Sequence, residues 1–344
     1  MNQAELIVID GSQGEGGGQV LRTCLALSLV TGKAFRIENI RAGRTRPGLM
    51  PQHLTAVQAA AQVGQAQVRG AAKGAMNLTF LPGVILPGDY QLSVGTAGSA
   101  TLVLQTILPA LLSAAKPSSL ILEGGTHNPW APPFEFLNRT FLPLLGRLGP
   151  KVEAVLERAG FFPAGGGRMR VDIEPQKDWQ SLELFERGKI RRCTARAVVS
   201  RLPISIAQRE IKMIQQELAW PENALSAEAI DSAGPGNAVT IEIESEQITE
   251  VFTGFGRKGV PAESVAMEAI RQAQTYLNAG VPVGRRLADQ LLIPMLLAGK
   301  GAFRTLPPSS HTLTNLEIIR RFIDFELCLE EVDPDVWQVV VSRR

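Results

Sequence analysis

The 344-residue sequence predicts an α+β protein of three repeated subdomains, each a small sheet carrying two helices, with a smaller α/β domain inserted. Three observations predict it. Leu21-Arg22-Thr23-Cys24-Leu25 reappears as Leu104-Gln105-Thr106-Ile107-Leu108, and Gln105-Thr-Ile-Leu-Pro109-Ala-Leu-Leu112 reappears as Gln290-Leu-Leu-Ile-Pro294-Met-Leu-Leu297. From first to second unit the helix shifts by 83 positions, Arg22 to Gln105, and the strand after it by 84, from position 35 to 119. From second to third the helix shifts by 185, which leaves about a hundred residues for an insertion. Repeats shorter than about fifty residues indicate a solenoid, whereas this longer period indicates packed subdomains.

The elements follow from hydrophobic periodicity. In the first unit residues 6–10 are a short apolar strand, 19–31 a mostly apolar helix, 35–40 a strand and 53–63 a second helix, closed by two strands. The second unit repeats this with its helix around Gln105, a strand at 119–123, a helix at 134–147 and two further strands. The interval 184–280 has its own plan of a strand at 193–200, a helix at 204–218, strands at 239–245 and 250–255, and a helix at 262–277. The third unit resumes near Arg285 with a helix, a strand at 302–306, a helix at 311–322, and strands at 325–331 and 337–342. The predicted domains are thus 1–183, the insert 184–280, and 281–344.

Bulk composition is that of an ordinary globular protein, 45% apolar and 20% charged. A net charge of +2 excludes binding of nucleic acid by global charge, so such a site requires a local basic cluster. Cys24, Cys193 and Cys328 are scattered and odd in number, which predicts reduced core thiols and a cytoplasmic setting. No apolar run reaches membrane-spanning length and no signal-peptide pattern opens the sequence, so no membrane association is expected.

The densest chemistry lies at Asp10-Gly-Ser-Gln-Gly-Glu15-Gly-Gly-Gly-Gln-Val-Leu-Arg22, five glycines between a strand and a helix. Free backbone N–H groups at a helix start attract anions, and Glu15 with Arg22 adds a carboxylate and a guanidinium. This combination points to a metal–phosphate site; a glycine-rich turn with a solvated glutamate is the plainer reading. Arg41-Ala-Gly-Arg44-Thr-Arg46-Pro-Gly48 suits phosphate recognition through guanidinium forks, and Gln52 and His53 start the helix after it. Arg22, Gln105 and Gln290 hold equivalent places in three apolar helices. They either converge on one cleft or bond separately to their own neighbours. His311 starts the third unit's second helix, roughly where His53 stands in the first. It is a candidate nucleophile, or a helix-capping residue. His127, in Gly124-Gly-Thr-His-Asn-Pro, reads as a loop residue without chemistry. Asp289 either accepts from an adenine amino group or complements a helix dipole. No Walker lysine motif and no strand–GxGxxG–helix fingerprint occurs, so any nucleotide use runs through another architecture.

Taken together, residues 10–22, Arg41-Ala-Gly-Arg44, Pro47-Gly, Gln52-His53-Leu-Thr-Ala, Gly95-Thr-Ala-Gly-Ser-Ala-Thr-Leu-Val-Leu-Gln105, Gly124-Gly-Thr, Pro163-Ala-Gly-Gly-Gly167, Gly234-Pro-Gly-Asn237, Leu287-Ala-Asp-Gln290 and His311 closely resemble the RNA 3′-terminal phosphate cyclases. They follow the family's order along the whole chain. The resemblance implies ATP-dependent conversion of an RNA 3′-phosphate to a 2′,3′-cyclic phosphodiester, with His311 forming a covalent histidine–AMP adduct. It implies that Glu15 holds a divalent metal, magnesium or manganese, near the ATP phosphates. It further implies that Gln105, Arg286, Leu287, Ala288, Asp289 and Gln290 line the nucleotide pocket, and that Arg22, Arg41, Arg44, Gln52 and His53 face phosphates of RNA or ATP. One departure stands out. Many relatives have an aromatic residue before Leu-Ala-Asp-Gln, where this chain has Arg286; a guanidinium can also stack on a base, which implies altered nucleotide contact. Two other classes share the architecture: non-catalytic relatives that serve ribosome assembly and lack the nucleophilic histidine, and enolpyruvyl transferases, whose substrate motifs have no counterpart here.

Overall fold

The computed structural model describes residues 6–344. In the first unit β1 (Ile7–Asp10) runs parallel to β2 (Phe35–Glu38) through the crossover helix α1 (Gly18–Thr31). Then come α2 (Pro51–Val63), β3 (Gln67–Arg69) and β4 (Leu78–Leu81). The apolar run of α1 keeps most of its side chains buried, because the helix is central: α2 of its own unit and, from the other two units, the helices α3 (Ala100–Leu112) and α9 (Ser310–Phe322) all pack on it. It stops at Gly32, whose φ of 71° supplies the left-handed turn that satisfies the Ser28 carbonyl.

The second unit runs β5 (Asp89–Ser93), α3 (Ala100–Leu112), β6 (Ser118–Gly124), a helical stretch, β7 (Lys151–Arg158) and β8 (Gly167–Glu174). Period-2 alternation buries Leu120 and Leu122 of β6, and Met169, Val171 and Ile173 of β8. Ser99 caps α3 by accepting from the Leu102 N–H at 3.2 Å. The predicted helix at 134–147 forms as α4 (Phe134–Phe136), a π-turn at Leu137–Phe141 and α5 (Leu142–Arg147). The π-turn carries Phe141 to the cleft described below.

The third sheet is assembled from distant chain. Its first strand is β9 (Leu182–Leu184), after which the insert leaves: β10 (Ile190–Ser200), α6 (Ile204–Leu218), β11 (Leu225–Ala229), β12 (Gly236–Ser245), β13 (Thr249–Phe255) and α7 (Ala262–Ala279). The unit then resumes with α8 (Arg285–Leu297), β14 (Lys300–Thr305), α9 (Ser310–Phe322), β15 (Phe325–Asp333) and β16 (Val336–Arg343). The orders β1-β2-β4-β3, β5-β6-β8-β7 and β9-β14-β16-β15 are the same arrangement three times. Each has its first two strands parallel and the rest antiparallel. The predicted boundary leaves residues 182 and 183 with the second unit and 184 with the insert, because a three-residue strand is too short to register among the repeats; pairing with β14 puts all three in the third sheet.

The insert's sheet, β11-β10-β12-β13, is covered by α6 and α7 over its own core of Ala197, Val199, Ile241, Ile243 and Tyr276. Ile248 and Val251 at the start of β13 join the core shared by the three units. Only Cys24 is a core thiol; Cys193 is half-buried and Cys328 exposed, so the expectation of three core thiols holds for one. His127 lies outside the named strands and helices, as expected of a loop residue, and is buried there, bonded to Glu135 and to the Thr126 hydroxyl. Among the described residues no helix is long and apolar enough to cross a membrane.

Candidate active site

The helices that begin the three units, α1, α3 and α8, bring Arg22, Gln105 and Gln290 to the wall of one cleft of about 770 Å³. Gln105 Nε2 donates to Gln290 Oε1, and Gln290 Nε2 donates to Asp289 Oδ2 at 3.2 Å. Pro109 and Pro294 lie four residues after these glutamines and line the same cleft. Proline has no N–H, so the glutamine backbone carbonyls lose their helical donor.

The glycine-rich loop forms the cleft's anion-friendly end. Gly17 begins α1 without a side-chain cap, leaving the first N–H groups of the helix free. Glycine is required here by close approach. A Cβ on Gly18 would sit 2.5 Å from His53 Nε2 and 2.8 Å from Arg22 Nη1. Gly14, at a φ of 57°, abuts the Thr314 hydroxyl of α9, which also accepts from the Glu15 N–H at 3.0 Å. The loop of the first unit is therefore fastened to the helix that carries His311. Glu15 pairs with Arg44, whose Nη2 also donates to the Glu15 carbonyl at 2.8 Å.

Five arginines (Arg22, Arg41, Arg44, Arg285 and Arg286) and two carboxylates (Glu15 and Asp289) line the cleft, a balance that selects anions. Burial pulls Arg22 down to about 10, against the raising effect of Glu15 and Asp289, so it remains a cation at neutral pH. Arg41 spends Nη1 on the carbonyls of Arg46 and Gly48, at 2.6 and 2.9 Å, and thereby shapes its own loop. Gln52 Oε1 accepts from the Ser99 N–H at 2.8 Å, tying the first unit to the second. His53 Nδ1 accepts from the Met50 N–H at 3.1 Å. Burial, then Arg22 and Arg41, drives His53 down to about 3. The ring is neutral and presents Nε2–H, a donor suited to a phosphate oxygen.

His311 has a defined tautomer. Gln19 Nε2 donates to Asp289 Oδ2 at 3.2 Å and to the His311 carbonyl at 3.3 Å. Those two acceptors fix the amide, so the atom facing His311 Nδ1 is the acceptor Gln19 Oε1. In the neutral ring the proton is therefore on Nδ1 and the lone pair on Nε2. The bridging role of Gln19 escaped sequence reading, as did Thr23 and Asn315, whose side chains meet between α1 and α9 while Asn315 Nδ2 donates to the Asp289 carbonyl at 3.1 Å. Only the three-dimensional meeting of α1, α8 and α9 reveals them.

Asp289 lies in the second turn of α8, which has no acidic residue in its first, so it does not serve the helix dipole. Burial raises it to about 7, opposed by Arg286. Arg286 donates to the Ala131 carbonyl at 2.7 Å and lies over the Phe136 ring. Leu287 and Ala288 point away from the cleft into the core, at 0% and 2% exposure, so within this stretch only Arg286, Asp289 and Gln290 line it. The insert contributes Gln272 to the cleft, and its buried Glu250 accepts from the Gly284 N–H at 2.6 Å, where α8 begins.

Among the described residues no three His, Cys, Asp or Glu side chains cluster as a ready metal cage. Glu15 alone offers a carboxylate at the arginine end. Magnesium is commonly held by one or two carboxylates together with substrate phosphates and water, a donor set that one glutamate fits when a polyphosphate shares the cleft.

A family model described as RNA 3′-terminal phosphate cyclase matches residues 13–329. A protein of that name from Koribacter versatilis (strain Ellin345) is 52% identical over 95% of this chain and 93% of its own length. Its namesakes from Ectopseudomonas mendocina (strain ymp) and Ralstonia nicotianae (strain ATCC BAA-1114 / GMI1000) are 47% and 46% identical, covering 98% and 99% of this chain and 99% of their own lengths.

Proposed function

The chain belongs to the RNA 3′-terminal phosphate cyclase family, and from that membership we propose that its cleft uses ATP to convert an RNA 3′-phosphate end into a 2′,3′-cyclic phosphodiester by way of His311. The observation that carries this reading is the Gln19–His311 contact, which in the neutral imidazole places the proton on Nδ1 and the lone pair on Nε2, in a cleft rich in phosphate-binding groups.

The chemistry runs in three displacements. Nε2 of His311 attacks the α-phosphorus of ATP; the bond to the β-phosphate oxygen breaks and pyrophosphate leaves. A 3′-phosphate oxygen of RNA then attacks that phosphorus, breaking its bond to nitrogen, and AMP becomes joined to the RNA end. The neighbouring 2′-hydroxyl attacks the RNA phosphorus, loses its proton, and expels AMP. Adenylylation is needed because a phosphate monoester has no good leaving group and repels nucleophiles by its charge. The protein's share is positioning and charge neutralisation. Arg22 and Arg44, the N–H groups at the start of α1 and the His53 Nε2–H supply donors for phosphate oxygens. Asp289, Gln105 and Gln290 supply polar partners for the nucleoside. A divalent metal, held by Glu15 and the phosphates, would neutralise polyphosphate charge.

Incubation with α-labelled ATP and magnesium or manganese tests the reading. An acid-labile label on the wild-type protein, absent from His311→Ala, is the expected result, together with conversion of a 3′-phosphorylated RNA to a phosphatase-resistant end. Absence of label with either metal would remove the mechanism and leave a non-catalytic RNA-binding member of the family.

A further inference from the structure

Trp130 is 82% exposed, while the other three tryptophans of the chain are half-buried. It is also a lining residue of the cleft. An isolated exposed apolar side chain needs no explanation, but this one is held out on a stiff support. It lies in the tight turn that the Ala131 N–H closes on the Asn128 carbonyl at 3.2 Å, and Asn128 Nδ2 anchors the turn to the Ala97 carbonyl at 2.6 Å. Pro129, Pro132 and Pro133 flank it, restricting φ on both sides. A large flat ring presented this way loses little conformational freedom on binding.

A chain of contacts locates the ring along the cleft. His311 touches Gln19, and Gln19 touches Asp289. Arg286, one turn before Asp289 on α8, donates to the carbonyl of Ala131, the residue next to Trp130. Arg22 interacts with both Asp289 and Glu15, and Glu15 pairs with Arg44, so a second chain of contacts runs from Asp289 through Arg22 and Glu15 to Arg44. A nucleotide whose α-phosphorus sits at His311 and whose outer phosphates approach the arginines directs its base toward Asp289 and the turn at 128–131. On the ATP reading above, the RNA phosphate that follows pyrophosphate approaches by way of Arg22 and Arg44.

We propose that Trp130 stacks on the adenine of ATP and forms the outer face of the base pocket. The proposal rests on the ATP reading above and deepens it. Arg286 is committed to the Ala131 carbonyl and to Phe136, so its guanidinium is anchored in the wall. Trp130 remains as an aromatic face with nothing on it.

Tryptophan fluorescence of the full-length protein tests this. ATP quenches the emission, and inorganic tripolyphosphate, which lacks a base, does not; Trp130→Phe abolishes the quench. In steady-state cyclisation Trp130→Ala raises the KM for ATP about 5- to 150-fold, the range of one base–aromatic stack. Trp130→Phe raises it less, and the KM for RNA does not change. Quenching no greater with ATP than with tripolyphosphate, or an unchanged ATP KM in Trp130→Ala, overturns the proposal. Quenching by 3′-phosphorylated RNA but not by ATP also overturns it and gives the ring to the RNA instead. The outcomes separate from those of the histidine reading: ATP that quenches Trp130 without labelling His311 defeats the covalent step alone, whereas labelling without quenching defeats the stack alone.

Discussion

Gln19→Leu probes how His311 is prepared for attack. Gln19 is 8% exposed and close in volume to leucine, so the substitution removes polar atoms more than it removes packing. It deletes the acceptor for His311 Nδ1–H and the donors to Asp289 Oδ2 and the His311 carbonyl. Asp289 keeps a second donor in Gln290 at 3.2 Å, which limits the damage to the nucleoside site. A neutral hydrogen bond contributes about 1 kcal/mol. Loss of the partner that orients a reactive ring typically costs about 10- to 100-fold, because the ring turns and its proton migrates to the attacking nitrogen. The two together amount to about 2.4–3.7 kcal/mol in the barrier, or about 50- to 500-fold in rate. A rapid-quench single turnover with α-labelled ATP reads the rate of protein labelling, and its dependence on ATP concentration separates binding from chemistry. Labelling of Gln19→Leu at the wild-type rate would refute the argument that Gln19 sets the tautomer. Gln19→Met guards against an effect of side-chain shape and should be equally slow.

Further outcomes follow from the geometry. Asp289 is raised to about 7, and an adenine amino donor favours its carboxylate form, so the KM for ATP should fall as pH rises through about 7 and flatten in Asp289→Asn. The same elevation contributes stability that is present below the ordinary carboxyl range and lost as pH rises through about 7. His53 has the opposite sign: lowered to about 3, it contributes stability above its ordinary 6.5 that is lost as pH falls from there toward 3, which acid titration of thermal stability will read. Gly18→Ala should lower both thermal stability and labelling rate, the latter by at least about tenfold, because its Cβ displaces His53 and Arg22. Gly146→Ala in α5, whose Cβ would meet nothing within 4 Å, should gain up to about 1 kcal/mol in the same melts. Glu250, raised by burial to about 8, is protonated at neutral pH, so Glu250→Gln should melt near the wild type while Glu250→Ala loses about 1–3 kcal/mol and weakens ATP binding through α8.

What the sequence discloses is set by length scale. The apolar helices carrying Arg22, Gln105 and Gln290 are long enough for their likeness to be counted, and their side chains do line one cleft. The glycine cluster is legible because several glycines are constrained at once, Gly14 by Thr314 and Gly18 by His53, and no shorter motif would need so many. Strand β9 is too short to be heard in a comparison of repeats. Gln19, Asn315 and Glu250 are ordinary polar residues until folding joins positions hundreds of residues apart, as Gln19 and His311 are. Leu287 and Ala288 show the reverse error: they adjoin cleft residues in sequence, and the 100° turn per helical residue rotates them into the core.

The threading of the insert through the third unit has a consequence for how the molecule comes into being. Strand β9 leaves the ribosome early, yet its neighbour β14 follows more than a hundred residues later, after the whole of β10 through α7. Sheet closure there is a late, non-local event, and such events are slow. The glycine loop and arginines of the first unit exist before the nucleophile does.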